Sequence, residues 1–322
     1  MVRIKEVAAH AGVSTATVSR VINGKSVKPR LREVVEQSVL ALGYLPDRQA
    51  RFLRLQRSDA IALILPDIEN PYYTALARGV ENVTQQAGYS VVLCNSDERA
   101  EKEGTYLAVV RGEKMAGIII APSTPHPEIT DLMADGRAVV AVDRSVANAV
   151  DSVTVDNVAL GRRGTADLVA RGYERIACIT GPPTASTAVD RAEGWRKEMR
   201  RHRLSVRGLV RTANFRVDGG REAATELLSL ADPPDAILAT NNLVGVGVLQ
   251  VLDELTDHSI GVTVIGELPF ATSRPANTAI IPLNPRDMGV KAAQMLIERI
   301  DGLTSPPRSV VQPLAAAEAM EW

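Results

Sequence analysis

From Ala60 onward, short apolar runs of strand length alternate with stretches of helical spacing, and no other feature narrows the fold so far. The runs read IALILP, SVVLCN, GIIIAP and AVVAVD, followed by SVTV. Almost every residue in them is apolar, so these strands call for burial on both faces, as in a parallel sheet covered by helices on each side. After Asp156 the rhythm restarts with RIACIT, a strand near Leu209, AILAT and VTVIG. The restart implies two α/β lobes sharing a pattern of elements rather than a repeated sequence. Asn284-Pro285 opens a last long helix to about Ile300, and SVVQP supplies a last strand. Lobe one is expected at about 59–155 and 285–305, and lobe two at about 156–284 and 306–322.

A chain of 322 residues has room for two or three domains. Its 45% hydrophobic and 23% charged residues are an ordinary globular balance, whereas aromatics, at 3%, leave a pocket few stacking surfaces. No apolar run approaches the ~18 to 20 residues of a membrane span and the N-terminus lacks a secretory apolar segment, so the expectation is a cytoplasmic protein. Cys94 and Cys178 lie inside the runs VVLCN and IACIT without metal-like spacing, which predicts reduced core residues and no disulfide.

The net charge of −1 conceals an asymmetry. Residues 1–60 hold 11 basic and 5 acidic side chains, the remainder 26 basic and 33 acidic. A basic head on an acidic body suggests a polyanionic partner for the head.

The head reads as three short helices. Ile4, Val7, Ala8 and Ala11 recur at helical spacing and stop at Gly12. Ser14 is placed to cap a second helix whose apolar stripe is Val18, Val21 and Ile22, ended by Asn23-Gly24. A third runs from Pro29 to Leu42, with Leu31, Val34, Val35 and Leu42 facing inward and Gly43 ending it. Helix, glycine turn, short helix and supporting helix make a helix-turn-helix. Thr15, Ala16, Ser19, Arg20 and Asn23 are left outward. Small side chains at Thr15 and Ala16 let such a helix approach base edges, hydroxyls at Ser14, Thr17 and Ser19 can bond phosphates, and Arg20 can fork onto a guanine.

IKEVAAHAGVSTATVSRVINGK followed by LGYLPDRQARFLR resembles the DNA-binding headpiece and hinge of the lactose-repressor (LacI/GalR) family. The resemblance implies a headpiece at 1–46, a hinge at 47–58 and an effector-binding, dimerising body at 59–322. It also implies a hinge that folds on DNA as a helix, with two hinges of a dimer pairing in the minor groove. Leu53 matches the residue that wedges a base step, with Ala50, Arg51 and Arg54 beside it. The chain departs from the family at Lys28, where a polar cap is usual, and at Phe52, where a small residue is usual.

The implied fold class is α/β: an N-terminal helix-turn-helix headpiece plus a two-lobed, periplasmic-binding-protein-like (type I) body of doubly wound parallel sheets. In such sheets ligands bind outside the carboxyl ends of strands. The loops there read DIENPYY, DRS, GPPTASTAVDRAEGW, TNNLVGVG and GELPF. By resemblance Asn70, Tyr72, Tyr73, Asp143 and Arg144 would face an effector from lobe one, and Thr187, Arg191, Asn241 and Glu267 from lobe two. Polar groups of this kind suit a hydroxyl-rich ligand. The family usually has Gly-Phe-Asp-Asp in the last loop, where Gly266 here runs into Glu267-Leu268-Pro269-Phe270, and aspartate where this chain has Asn242.

Three other classes of function fit the sequence less well. Catalysis lacks a constellation: His10, His126, His202 and His258 are scattered, no serine sits in a nucleophile elbow, and no glycine-rich phosphate loop follows the first strand. A transport-associated binding protein would carry a signal peptide in place of the headpiece. A regulator that has lost its ligand stays compatible with the altered last loop. The reading adopted is a dimeric, sequence-specific DNA-binding regulator, a repressor of a near-palindromic operator, controlled by a carbohydrate-like effector. It needs no cofactor, metal or membrane partner.

Overall fold

A computed structural model of the chain describes residues 2, 4–22, 27–43, 58–144, 146–147, 149–255, 259–268 and 277–314. Contacts divide the chain into two units, Met1–Ser58 and Asp59–Trp322.

In the first unit, helices α1 (Ile4–His10), α2 (Thr15–Ile22) and α3 (Pro29–Ala41) enclose a small core of Val7, Ala8, Ala11, Val18, Val21 and Val35. The turn after α1 passes through Gly12 in the left-handed region, φ 63°, where a Cβ is penalised. Ser14 caps α2: its Oγ accepts from the Thr17 N–H at 3.1 Å. Pro29 stands at the first position of α3 behind Lys28, which offers no side-chain cap. The inward face of α3 differs from expectation at one position. Val34 is exposed, and Ser38 is buried in its stead, donating to the Val34 carbonyl at 2.8 Å and meeting His10 Nδ1 at 3.0 Å.

The second unit holds two parallel sheets. The first contains β1 (Ala60–Leu65), β2 (Ser90–Asn95), β3 (Gly117–Ile120), β4 (Ala138–Val142), β5 (Asp151–Val155) and β11 (Ser309–Gln312), in the order β11-β5-β4-β3-β1-β2. The second contains β6 (Ile176–Thr180), β7 (Val210–Thr212), β8 (Ala236–Ala239), β9 (Gly261–Ile265) and β10 (Thr278–Ile281), in the order β10-β9-β8-β6-β7. Both contain the doubly wound order in which the second strand lies outside the first. Helices α4 (Pro71–Gln86), α5 (Ala100–Gly112), α6 (Thr130–Ala134) and α11 (Pro285–Ile300) belong with the first sheet. With the second go α7 (Asn157–Ala170), α8 (Ser186–Arg201), α9 (Val217–Leu228) and α10 (Asn242–Leu255).

The central strands β3, β6, β8 and β9 are buried along their whole length, as their predominantly apolar sequences require. The edges behave differently: Val92 and Leu93 of β2 and Val311 of β11 are exposed. One strand assignment is corrected. The last strand, β11, was expected in lobe two with 306–322, but it pairs in parallel with β5 and therefore belongs to lobe one. Charge at the start of β5 holds it there. Asp151, whose side chain is fully buried, accepts from Arg299 at 2.8 and 3.1 Å and from the Arg308 guanidinium and backbone N–H at 2.8 Å each. Strand β10 was not anticipated at all.

Within each lobe, helix pairs approach to backbone contact through reciprocal glycines. A Cβ on Gly79 of α4 would strike the Arg286 carbonyl of α11, and one on Gly289 the Leu76 carbonyl. Gly161 and Gly194 seat α7 on α8 in the same way, as Gly220 and Gly247 do for α9 on α10.

Candidate functional site: a cleft between the lobes

Strands of both sheets end toward one cavity of about 380 Å³, lined by residues that follow β1, β2, β4, β6, β7, β8, β9 and β10. All nine effector-facing residues named from the sequence line it: Asn70, Tyr72, Tyr73, Asp143 and Arg144 from lobe one, Thr187, Arg191, Asn241 and Glu267 from lobe two.

The lobe-one wall begins at the N-terminus of α4. Asn70 caps that helix, its Oδ1 accepting from the Tyr72 N–H at 3.0 Å, and Pro71 sets the first turn. This places Tyr72 and Tyr73 edge to face with ring centres 5.1 Å apart. Their hydroxyls donate to the two oxygens of one carboxylate, Tyr72 to Asp143 Oδ1 at 2.8 Å and Tyr73 to Oδ2 at 3.0 Å. Burial, then the charge of Asp143, pushes both phenols well above their ordinary pKa. Asp143 reaches this position with φ 66°, a conformation that aspartate tolerates better than most residues. Next to it, Arg144 forks onto Glu98 with both bonds at 2.6 Å and also donates to the Pro122 carbonyl at 3.1 Å. Burial works to lower the Arg144 pKa, but Tyr73 and Glu98 outweigh it and the net direction is upward. Asp143 and Arg144 are thus in the cleft, with their charged ends already engaged inside lobe one.

The lobe-two wall is built otherwise. Thr187 and Arg191 lie on α8, whose N-cap residue, Ala185, has no side chain to satisfy the first turn. Arg191 is 5% exposed and donates from Nε to Asn157 Oδ1 at 2.8 Å and from Nη1 to the Thr240 carbonyl at 2.7 Å. Both acceptors are neutral, and burial lowers its pKa. Asn241 uses Oδ1 to accept from the Val244 N–H at 2.8 Å as α10 begins. Glu267 is exposed, just past Gly266 at φ 103°.

Among the described residues, polar side chains join the walls at two places. Asn242 Nδ2 donates to Asn70 Oδ1 at 3.0 Å, and Arg216 reaches Glu69 at 2.9 Å and Asp67 at 3.3 Å. The first contact explains a departure noted in the sequence: an ionised aspartate at 242 has no hydrogen to give the Asn70 oxygen. Sequence reasoning missed Asp67, Glu98, Asn157, Phe215 and Arg216. Phe215 is the least legible, since it follows the three-residue strand β7 with φ 61° and packs its ring against Gly181, where a Cβ would collide with it. Among the described residues there is no cluster of potential metal ligands, and Cys94 and Cys178 are buried and free. Burial pushes the Cys178 thiol up to about 12.

On the first unit, Ser14, Thr15, Ala16 and Arg20 are exposed on one short helix and its cap, while Thr17 and Ser19 are half-buried. The Ser14 and Thr17 hydroxyls are within 2.9 Å of each other, so capping already occupies part of their capacity. Asn23, Ala50, Arg51, Phe52, Leu53 and Arg54 lie outside the described residues.

Comparison with known proteins bears on both units. Residues 3–47 match the bacterial regulatory proteins of the lacI family, and residues 58–316 match the periplasmic binding proteins and sugar binding domain of the LacI family. The chain is 33% identical over 306 residues to a ribose operon repressor of Halalkalibacterium halodurans, covering 94% of this chain and 91% of that one. It is 30% identical to a solved complex of the transcriptional regulator CelR with cellobiose, with TM-score 0.70 and 99% of each chain covered. The lac repressor dimer bound to operator and the anti-inducer ONPF shares the fold, with TM-score 0.79 at 23% identity over 96% of each chain. A helix-turn-helix head, a doubly wound two-lobed body and matches to both parts of one family's architecture lead to a single assignment: the chain belongs to the LacI family of bacterial regulatory proteins, which are DNA-binding transcriptional regulators and not enzymes.

Proposed function

We propose that the protein is a cytoplasmic, homodimeric repressor whose operator affinity is set by a small carbohydrate-like effector held between the lobes. The observation that carries this reading is the cleft: one cavity of monosaccharide scale, walled by both lobes and lined by amides, hydroxyls and guanidinium groups. Relatives named as a ribose operon repressor and a cellobiose complex support a sugar-like ligand. In this reading Asn70, Tyr72, Tyr73, Thr187, Arg191, Asn241 and Glu267 face the ligand, and Asp143 and Arg144 hold the lobe-one wall in shape. A ligand touching both lobes shifts the protein between two arrangements by the difference in its affinity for them.

At the operator, Thr15, Ala16 and Arg20 read base edges in the major groove, and Ser14, Thr17, Ser19 and Asn23 contact the backbone or neighbouring bases. Leu53, flanked by Ala50, Arg51 and Arg54, wedges a minor-groove step at the centre of a near-palindromic site. The test is operator titration at fixed salt with and without D-ribose, D-glucose and cellobiose, for the wild type, Arg20→Ala and Arg191→Ala. Arg20→Ala is expected to lower affinity for cognate operator by ~1 to 3 kcal/mol more than for random DNA, the discrimination of a good bidentate base contact. Arg191→Ala is expected to abolish the sugar response. A normal response in that variant overturns the cleft assignment.

A further inference from the structure

We propose that the cleft takes an acidic ligand: a hydroxylated molecule of monosaccharide size whose carboxylate or phosphate lies against Arg191, Thr187 and the Asn241 amide. This rests on the cleft being the effector site and adds the charge of the effector. Three arginines line the cavity. Arg144 is neutralised by Glu98, and Arg216 by Glu69 and Asp67. Arg191 is the exception. It is 95% buried, its two partners are the neutral oxygens of Asn157 and Thr240, and its Nη2 makes no hydrogen bond among the described residues. Burial lowers its pKa on balance although the charge of Asp143 acts on it from beyond ion-pair distance, and an anionic ligand would supply the direct counter-ion it lacks.

The groups around it have the same polarity. Helix α8 starts beside Arg191 with its first turn lacking a side-chain cap, and the free N–H groups of a helix start favour an anion. Asn241 holds its oxygen toward the Val244 N–H, which leaves its Nδ2 hydrogens as donors. The Arg191 guanidinium and the Asn241 Nδ2 bring several donors to this wall, and a carboxylate or phosphate is a group that only accepts. The acids in the lining do not reverse the balance. Asp67, Asp97 and Glu98 each have a cation, Asp143 lies beyond ion-pair distance of Arg191 with both oxygens bonded to tyrosine hydroxyls, and Glu267 lines the cavity from an exposed position where water screens its charge.

Calorimetric titration of the full-length protein at constant ionic strength tests the proposal with matched probes: D-glucose against D-glucuronate and D-glucose 6-phosphate, D-galactose against D-galacturonate, and D-ribose against D-ribose 5-phosphate. At least one anion is expected to bind about tenfold or more tightly than its neutral parent, as charge-assisted hydrogen bonds from one guanidinium allow, and the arm that binds separates carboxylate from phosphate. Arg191→Gln is expected to erase that preference. Asn241→Asp keeps the acceptor for Val244 and places a negative charge at the site, so it should weaken the anion about tenfold even if Arg191→Gln does not fold. A neutral sugar that binds as well as or better than its acid overturns the charge assignment and leaves the sugar-binding cleft standing. Silence from every probe overturns both.

Discussion

The two lobes fold by one rule and furnish the cleft by opposite ones. Each sheet contains the same strand order, and each turns its carboxyl ends to the cavity. Lobe one arrives with its polar groups bonded to each other: two tyrosines on Asp143, and Arg144 on Glu98. Lobe two arrives with bonding capacity unfilled at Arg191 and Asn241 and at an uncapped helix start. Strand order fixes where a site lies and leaves its chemistry to a few loop residues. One wall is a preformed template and the other supplies the interactions a ligand can win.

The largest effect should come from disturbing the lobe-two wall at its base. The carbonyl of Arg191 lies where a Cβ on Gly161 would have to go, so Gly161→Ala must push α7 and α8 apart and move Arg191 with them. Overpacking of this kind costs about 3 kcal/mol, read by urea unfolding, and the same variant should lose ligand binding. Stability close to wild type would mean that the helix pair is softer than its contact implies. On the lobe-one wall, Asp143→Ala removes the shared acceptor of two buried phenols. The expected loss is roughly 2 kcal/mol, the scale for leaving buried hydrogen-bonding groups unsatisfied. Were Asp143 a ligand contact alone, stability would hardly change and binding would bear the whole effect.

The sequence made the strands of both sheets visible because burial on two faces demands runs such as GIII and IACIT. The loops that follow those strands showed where to look, and resemblance to the family nominated nine residues in them that line the cavity. Pairing was less visible. Nothing in SVVQ shows which sheet it joins, because that depends on Arg299 and Arg308 converging on Asp151 from positions about 150 residues away. Phe215 follows a strand of three residues, too short for a period to register, and its backbone conformation is unusual for an aromatic. The division between an engaged and an unfilled wall was invisible for the same reason. It depends on which oxygen meets which donor, as in Asp143 with residues 70 positions earlier.

The Asp151 cluster sharpens the comparison from outside the cleft, since it anchors only lobe one. Burial alone would raise its pKa, yet hydrogen bonds from Arg299 and Arg308 hold it down to about 2. A depressed carboxyl contributes stability that is complete above its unfolded value near ~4 and is lost as pH falls through the folded value. The wild type should therefore lose about 2 kcal/mol between roughly pH 4 and pH 2 through this group. Asp151→Asn should already lack that contribution at pH 7 and show a flatter acid limb. An acid limb identical to wild type would remove Asp151 from the account.

The smallest effect on stability belongs to the contact that joins the walls. Arg216 of lobe two is 44% exposed, and of its partners Glu69 is 74% exposed and Asp67 12%. Exposed pairs contribute ~0 to 1 kcal/mol, and salt screens them, so Arg216→Ala should shift unfolding by less than about 0.5 kcal/mol. Its consequence lies in geometry. Apart from Asn242 on Asn70, this is the hydrogen-bonded bridge across the mouth of the cleft among the described residues, and removing it leaves one such amide bond there. Spin labels at the exposed positions Gln85 in lobe one and Glu222 in lobe two should report a longer or broader distance distribution in Arg216→Ala without ligand, and high salt should reproduce the broadening in the wild type. If both distributions stay at the wild-type distance, packing rather than charge closes the cleft, and the lobes are coupled through the Asn242 contact and through Tyr72 and Val155, which pack against the apolar cores of both lobes.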